Sequence, residues 1–298
     1  MKLRPLVVAT LAALSLSGCV ASPTANEPGT LSVVVGLYPY AYLAQAVGGD
    51  RITVTNLTKP GAEPHDLELS AVQVAAVGSS DLTIYEKTLQ PAVDAAVDQT
   101  TPAHTLDVTT IIPLEDHAID EDGATAVDPH IWLDPVHMVT LAKAIADQLS
   151  TIDPTNAATY TTNLGALTTE LNGLDQSYTT GLAHCERSAF ITTHAAFGYL
   201  AERYGLSQIP IAGVEPDTDP SPDRIAEIQQ TAIKDGITTV FFETLVSPAL
   251  ATSIAEDLGL KTDILDPIEG ITDQSRGDDY PSIMASNLTA LTSANGCS

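Results

Sequence analysis

Basic residues are scarce: twelve lysines and arginines stand against 38 aspartates and glutamates, a formal net charge of −26 over 298 residues. A field of that sign repels phosphate backbones and anionic lipid, which argues against nucleic acid as a partner and makes a cation the natural ligand. Solubility accounts for much of such charge, so only local clustering argues for a site. Charged residues make up only 17% of the chain against 44% apolar, which is the composition of a folded globular protein. No "HExxH" or comparable helix-borne pair occurs, which argues against a secreted zinc hydrolase. Cysteines number three and tryptophan occurs once.

The N-terminus reads as an export signal, residues 1–18. Lys2 and Arg4 precede an apolar run from Pro5 to Gly18 that is too short to span a bilayer as a mature helix. Leu16-Ser17-Gly18-Cys19 looks like a bacterial lipobox, whose cysteine is acylated, while Ser15-Leu16-Ser17 leaves ordinary cleavage as the alternative. Residues 19–30 are small, polar and proline-bearing, the composition of a flexible, lipid-anchored tether. With Cys19 lipidated, Cys185 and Cys297 remain as one pair in an oxidising compartment, and a disulfide between them is expected.

Short β-branched runs recur with helical stretches between them. They fall at 32–37, 52–57, 82–87 and 104–108, and again at 189–193, 209–214, 238–243 and 261–265. The expected fold is α/β: two (β/α)4 lobes, 31–152 and 185–298, each with a parallel four-stranded sheet covered on both faces. Between them, Tyr160, Leu164, Leu167, Leu171, Leu174, Tyr178 and Leu182 keep one apolar seam at helical spacing. That predicts one long, rigid linking helix over 153–184, N-capped by Asp153, with Pro154 first and a reach of about 40 Å.

Three of the seven histidines share a topological address. His65 in "PGAEPHDLELS", His130 in "DPHIWLDP" and His194 after "AFITT" each leave a strand and enter a helix, and they come from both halves. In open parallel α/β sheets the crevice beyond the strand carboxyl ends is where ligands bind, which puts the expected site in the interlobe cleft. Alone, each histidine reads more simply as a turn or core residue. The proline before His65 and before His130 fixes the chain's approach, and acidic neighbours are placed to orient the rings. Imidazole suits zinc, copper, nickel or iron better than calcium or magnesium, and a tetrahedral site needs a fourth ligand. Asp266 in "ILDPIEG" ends the last strand and is the expected fourth ligand; Glu243 in "FFETLVSP" ends the strand before it. Their ordinary alternatives are an Asp-Pro turn capping its own backbone and a solvated strand end. His104, His137 and His184 read as structural or exposed. The acidic run 114–128, with Asp116, His117, Asp120, Glu121 and Asp122, reads as a surface loop and a possible auxiliary metal loop, the solvated loop being the simpler view.

With "GGDRITVTNLTKPGAEPHDLELS", "DPHIWLDP", "FITTHAAFGYLAERYGL", "SPDRIAEI" and "FFETLVSP" in place, nearly the whole mature chain resembles the metal-binding solute-binding proteins of bacterial ABC importers, in the zinc and manganese branch. The resemblance implies His65 and His130 as ligands. It implies zinc (Zn2+) from histidine at 194, where manganese binders usually carry glutamate, and it implies a variable fourth ligand that Asp266 matches. It departs at the loop, where many members carry a histidine-rich tract and this chain has His117 alone. The implied role is no enzyme. It is an exported, lipid-anchored monomer on the outer face of the cytoplasmic membrane that captures Zn2+ and delivers it to a membrane permease. A manganese- or iron-binding homologue, or a metal-dependent adhesin, is the alternative.

Overall fold

A computed structural model of the chain describes residues 29–119, 124–216, 218 and 220–298. The expected signal peptide, Cys19, most of the tether, and Asp120, Glu121 and Asp122 lie outside the described residues.

The first half runs β1 (Leu31–Val35), α1 (Tyr38–Gly48), β2 (Ile52–Asn56), α2 (Ala71–Ser79), β3 (Leu82–Tyr85), α3 (Pro91–Thr100) and β4 (Thr105–Asp107). A hairpin, β5 (Glu115–Ile119) and β6 (Thr125–Asp128), leads into α4 (Pro135–Ile152) and the long α5 (Ala157–Gly181). The second half runs β7 (Ala189–Thr192), α6 (Gly198–Arg203), β8 (Ser207–Pro210), α7 (Pro222–Lys234), β9 (Thr239–Phe242), α8 (Ala249–Leu258), β10 (Lys261–Ile264) and α9 (Tyr280–Asn295). All eight sheet strands pair in parallel, in the orders β2-β1-β3-β4 and β10-β9-β7-β8, so the two sheets share one topology.

Alternation along the central strands sorts side chains between two layers. Val33 and Val35 of β1, Phe190 of β7 and Phe241 of β9 face one continuous core that also takes buried residues of α1, α4, α5 and α9. Val34 faces outward onto α2 and α3 through Val77, Val93 and Val97. Ile191 and Val240 face α7 and α8 through Ile228, Ala232 and Ile254. The two lobes therefore share their inner core and keep separate outer ones.

The expected seam lies inside that shared core. Tyr160, Leu167, Leu171, Leu174 and Tyr178 are buried, Leu164 packs half-buried against them, and Leu182 closes the helix end. At 1.5 Å per residue the 25 residues of α5 reach about 38 Å. The helix begins later than its proline suggests. Pro154–Asn156 form a 3-10 turn, and the Asp153 carboxylate accepts the Tyr160 hydroxyl at 3.0 Å in place of capping a backbone N–H. The Cys185–Cys297 disulfide is present and ties the end of α9 to the start of the second half.

The sequence reading of 114–128 as a loop is corrected by β5 and β6, which pair antiparallel. The strands carry polar side chains on both faces, so no apolar alternation announces them. The ladder and the Tyr199 hydroxyl, which accepts the Glu115 N–H at 2.7 Å, hold them.

Candidate metal centre

Each expected histidine sits where a strand hands over to a helix, and local bonds fix its backbone. His65 lies between β2 and α2. The Thr58 hydroxyl donates to the Gly36 carbonyl at 2.7 Å, the Gln90 amide donates to Thr58 Oγ1 at 2.8 Å and to the Pro64 carbonyl at 3.3 Å, and Glu63 accepts the His65 N–H at 3.1 Å. Downstream, Ser70 and Gln73 form a capping box that starts α2. His130 follows β6. Asp128 Oδ1 accepts its N–H at 2.9 Å and lies 2.8 Å from ring Nδ1, while Asp134 caps α4 by accepting the Val136 N–H at 2.8 Å. His194 follows β7. Its carbonyl accepts the Thr192 hydroxyl at 2.7 Å and the Gln208 amide at 2.8 Å, and its Nδ1 lies 2.6 Å from Glu243 Oε1.

A carboxylate against Nδ1 holds the proton on that nitrogen and leaves the Nε2 lone pair of the neutral ring free. Glu243 is thus no solvated strand end: it is 2% exposed, and besides His194 it takes the Thr193 hydroxyl. His194 and Glu243 follow β7 and β9, the neighbours at which the second sheet reverses strand order, the usual ligand crevice of such a sheet.

The free faces of the three rings meet one carboxylate. His130 Nε2 lies 3.3 Å from His194 Nε2, and Glu269 Oε1 lies 3.5 Å from His65 Nε2, 3.3 Å from His130 Nε2 and 3.7 Å from His194 Nε2. All four residues are buried, and their donor atoms lie within 4.8 Å of one another. His65 Nε2 and both oxygens of Glu269 are buried without a hydrogen-bond partner, a costly arrangement unless something else occupies the space between them.

The carboxylate that joins the histidines is therefore Glu269, and Asp266 stands apart from the group. Asp266 Oδ1 accepts the Ile268 N–H at 2.8 Å, the self-capping turn that an Asp-Pro pair favours. Ile268 has φ +59°, a left-handed conformation that a β-branched residue adopts at a cost of ~1–3 kcal/mol, and this reversal turns Glu269 back into the cluster. Asp266 is the strand-end carboxylate in the sequence; Glu269, three residues on, is one of several further acids in the same β→α connection, and spacing does not single it out.

Electrostatics follow the geometry. Burial disfavours charge on His130, yet the Asp128 carboxylate on its Nδ1 and the Glu269 carboxylate beside its Nε2 outweigh it and raise its pKa to about 9. Burial likewise opposes charge on His194, and Glu243 with Glu269 raises it well above the ordinary range. Burial pushes Glu269 up, but the imidazoles around it prevail and hold it well below the usual carboxylate range. Burial lifts Glu63 to about 8 and Asp266 to about 6. The raised His130 and His194 and the lowered Glu269 are two sides of one interaction, imidazolium against carboxylate.

A second group lies on the surface. His117 Nε2 on β5 sits 3.3 Å from Glu115 Oε2 and 3.0 Å from Glu202 Oε2 of α6, with the ring edge-on to Tyr199. Asp116 is exposed and outside this group. His104 and His184 are exposed and His137 is half-buried, none of them near the centre.

Two parallel four-stranded sheets on one shared core, bridged by a long helix and presenting converging imidazoles between the lobes, define a two-lobed α/β binding protein. The chain belongs to the family described as "Zinc-uptake complex component A periplasmic", which matches residues 33–294. It is 36% identical to the zinc-binding lipoprotein AdcA of Streptococcus pneumoniae over 98% of this chain and 60% of that protein. It is 33% identical to the high-affinity zinc uptake system protein ZnuA of Bacillus subtilis over 88% of this chain and 86% of that protein. The crystal structure of the Zn(II)-bound ZnuA-like domain of pneumococcal AdcA superposes with a TM-score of 0.77 at 35% identity, covering 90% of this chain and 99% of that domain. The chain thus spans about 60% of the length of the streptococcal relative it matches.

Proposed function

We propose that this protein captures Zn2+ outside the cytoplasm with His65, His130, His194 and Glu269 and delivers it to the permease of an ABC importer, as a monomer anchored through Cys19. One observation carries the reading: Glu269 Oε1 lies 3.3–3.7 Å from each of the three Nε2 atoms, His130 Nε2 lies 3.3 Å from His194 Nε2, and all four donor atoms fall within 4.8 Å of one another. Donors at about 2.0–2.1 Å from a tetrahedral zinc ion lie about 3.3 Å apart, so little movement closes them around the ion. The zinc named for the pneumococcal and Bacillus relatives supports the choice of ion. Residues 31–152 and 185–298 serve as the two lobes and 153–184 as the link between them.

A carrier suits the donor set better than a hydrolase does. Four protein donors complete a tetrahedron and leave no place for an attacking water, and Asp128 and Glu243, the acids nearest the rings, are engaged with Nδ1. The surface group of Glu115, His117 and Glu202 supports an accessory role, holding a cation weakly before it reaches the buried centre. The test is to strip the protein with chelator, add divalent ions singly and record melting temperature. Zinc is expected to raise it most and manganese least, because a ligand bound only by the native state stabilises that state in proportion to ln(1 + [L]/Kd). His194→Ala is expected to remove the zinc-induced rise. A rise of equal size in that variant contradicts the proposal.

A further inference from the structure

Four hydrogen bonds hold the turn that delivers Glu269, three of them from Asn287 and Trp132. Asn287 of α9 clasps Asp266 from both sides, accepting its N–H at 2.9 Å and donating to its carbonyl at 2.7 Å. The carbonyl of Pro267 accepts the indole N–H of Trp132 at 2.7 Å, and the Ile268 N–H goes to Asp266 Oδ1. Trp132 follows His130 by two residues and belongs to the first lobe; Pro267 precedes Glu269 by two and belongs to the second. The indole is itself fixed, fully buried between the rings of Tyr40 and His130, with its own carbonyl accepting the Tyr280 hydroxyl at 2.6 Å.

We infer that Trp132, with Asn287, is a positioning residue for the fourth metal donor: the indole N–H, reaching across the lobe boundary, holds the turn in which Ile268 is left-handed and so aims Glu269 at the three imidazoles. A β-branched residue leaves the left-handed region when nothing holds it there, since its Cβ crowds the backbone. Strained backbone of this kind persists only where surrounding bonds over-determine it, and here four hydrogen bonds act on three consecutive residues. The same bond links His130 to Glu269 through a short rigid path, so the one tryptophan of the chain sets the distance between a ligand of the first lobe and one of the second. Without it the turn relaxes, Glu269 withdraws, and three imidazoles remain with an open position.

This inference rests on the proposed zinc site, and a double-mutant cycle separates the two. Trp132→Phe keeps an aromatic ring and deletes the N–H; Asn287→Ala removes the second clasp by a different route and serves if the first variant packs poorly. Each is made in the full chain alone and combined with Glu269→Gln. Zinc affinity is measured by chelator competition, and the visible band of the Co2+-loaded protein is recorded as a reporter of four-coordinate geometry. Trp132→Phe is expected to weaken zinc at least tenfold and to alter the Co2+ band, yet to change affinity less than twofold when Glu269→Gln is already present, because residues acting through one partner are not additive. Equal losses in both backgrounds, or an unchanged affinity and band in Trp132→Phe and Asn287→Ala alike, overturn the inference. Wild-type affinity in Glu269→Gln alone instead overturns the site from which it starts.

Discussion

Glu269 and Asp266 stand three residues apart on one turn, and they differ in what their oxygens already do. Both Glu269 oxygens are buried without a partner, whereas Asp266 keeps one oxygen on the Ile268 N–H. Glu269→Gln is accordingly expected to lower zinc affinity at least tenfold, while Asp266→Asn, which still offers an oxygen to Ile268, stays within a few-fold of wild type; competition with a chromophoric chelator reads both. The reverse order contradicts the assignment of the fourth donor. That His65, His130 and His194 come together was legible because residue type and strand-to-helix address coincide. Glu269 was not, because its approach depends on a left-handed isoleucine, a conformation that the residue type argues against.

Glu86 gives a separate prediction at the same scale. It is 2% exposed, accepts the Tyr40 hydroxyl, leaves Oε1 without a partner, and is pushed by burial from the ordinary 4.5 to about 8. Between those values the native state holds a proton that the unfolded chain has lost. Its effect is therefore absent below pH 4.5, and stability falls as pH rises towards 8, by up to ~5 kcal/mol for this group alone. Glu86→Gln is expected to flatten that fall and to be more stable than wild type at pH 8.5 in urea titrations run with chelator present. Parallel pH profiles for the two proteins contradict it.

Elements were legible where apolar period and element type agree. The central strands β1, β3, β7 and β9, buried on both faces, and the seam of α5 follow from spacing alone. The hairpin β5–β6 was not, since the face it buries carries Ala118, Ala126 and Asp128, too small and polar to show as an apolar alternation in the sequence. The start of α5 was displaced because the chain enters it through the 3-10 turn Pro154–Asn156, with Asp153 Oδ2 taking the Tyr160 hydroxyl and the Asn156 amide. Cys185 and Cys297, 112 residues apart, fasten the end of α9 beside the start of the second half. Replacing both cysteines by serine is expected to cost about 2–5 kcal/mol in denaturant unfolding, with zinc affinity unchanged. An unchanged midpoint means that the noncovalent contacts of α9 hold it without the disulfide.

At the scale of the molecule, one core continuous from β1 to α9 joins the two lobes, with Tyr178 donating to the Met284 carbonyl at 2.7 Å and Arg203 of α6 paired with Asp134 at the head of α4. Opening the lobes widely means exposing that core, at a cost that scales with the apolar area uncovered. Loading and release of the ion are therefore expected to involve the connections, above all the one bearing His65, whose Nδ1 lies 4.0 Å from the half-exposed Glu215, a longer contact than those of His130 and His194 to Asp128 and Glu243. The central claim remains that donors from both lobes converge on one ion. Diffraction from zinc-loaded crystals at the zinc absorption edge tests it most directly. The account predicts one strong anomalous peak about 2.0–2.2 Å from Nε2 of residues 65, 130 and 194 and from a carboxylate oxygen of Glu269. A peak bonded to Asp266 in place of Glu269, or no peak among the three imidazoles, contradicts it.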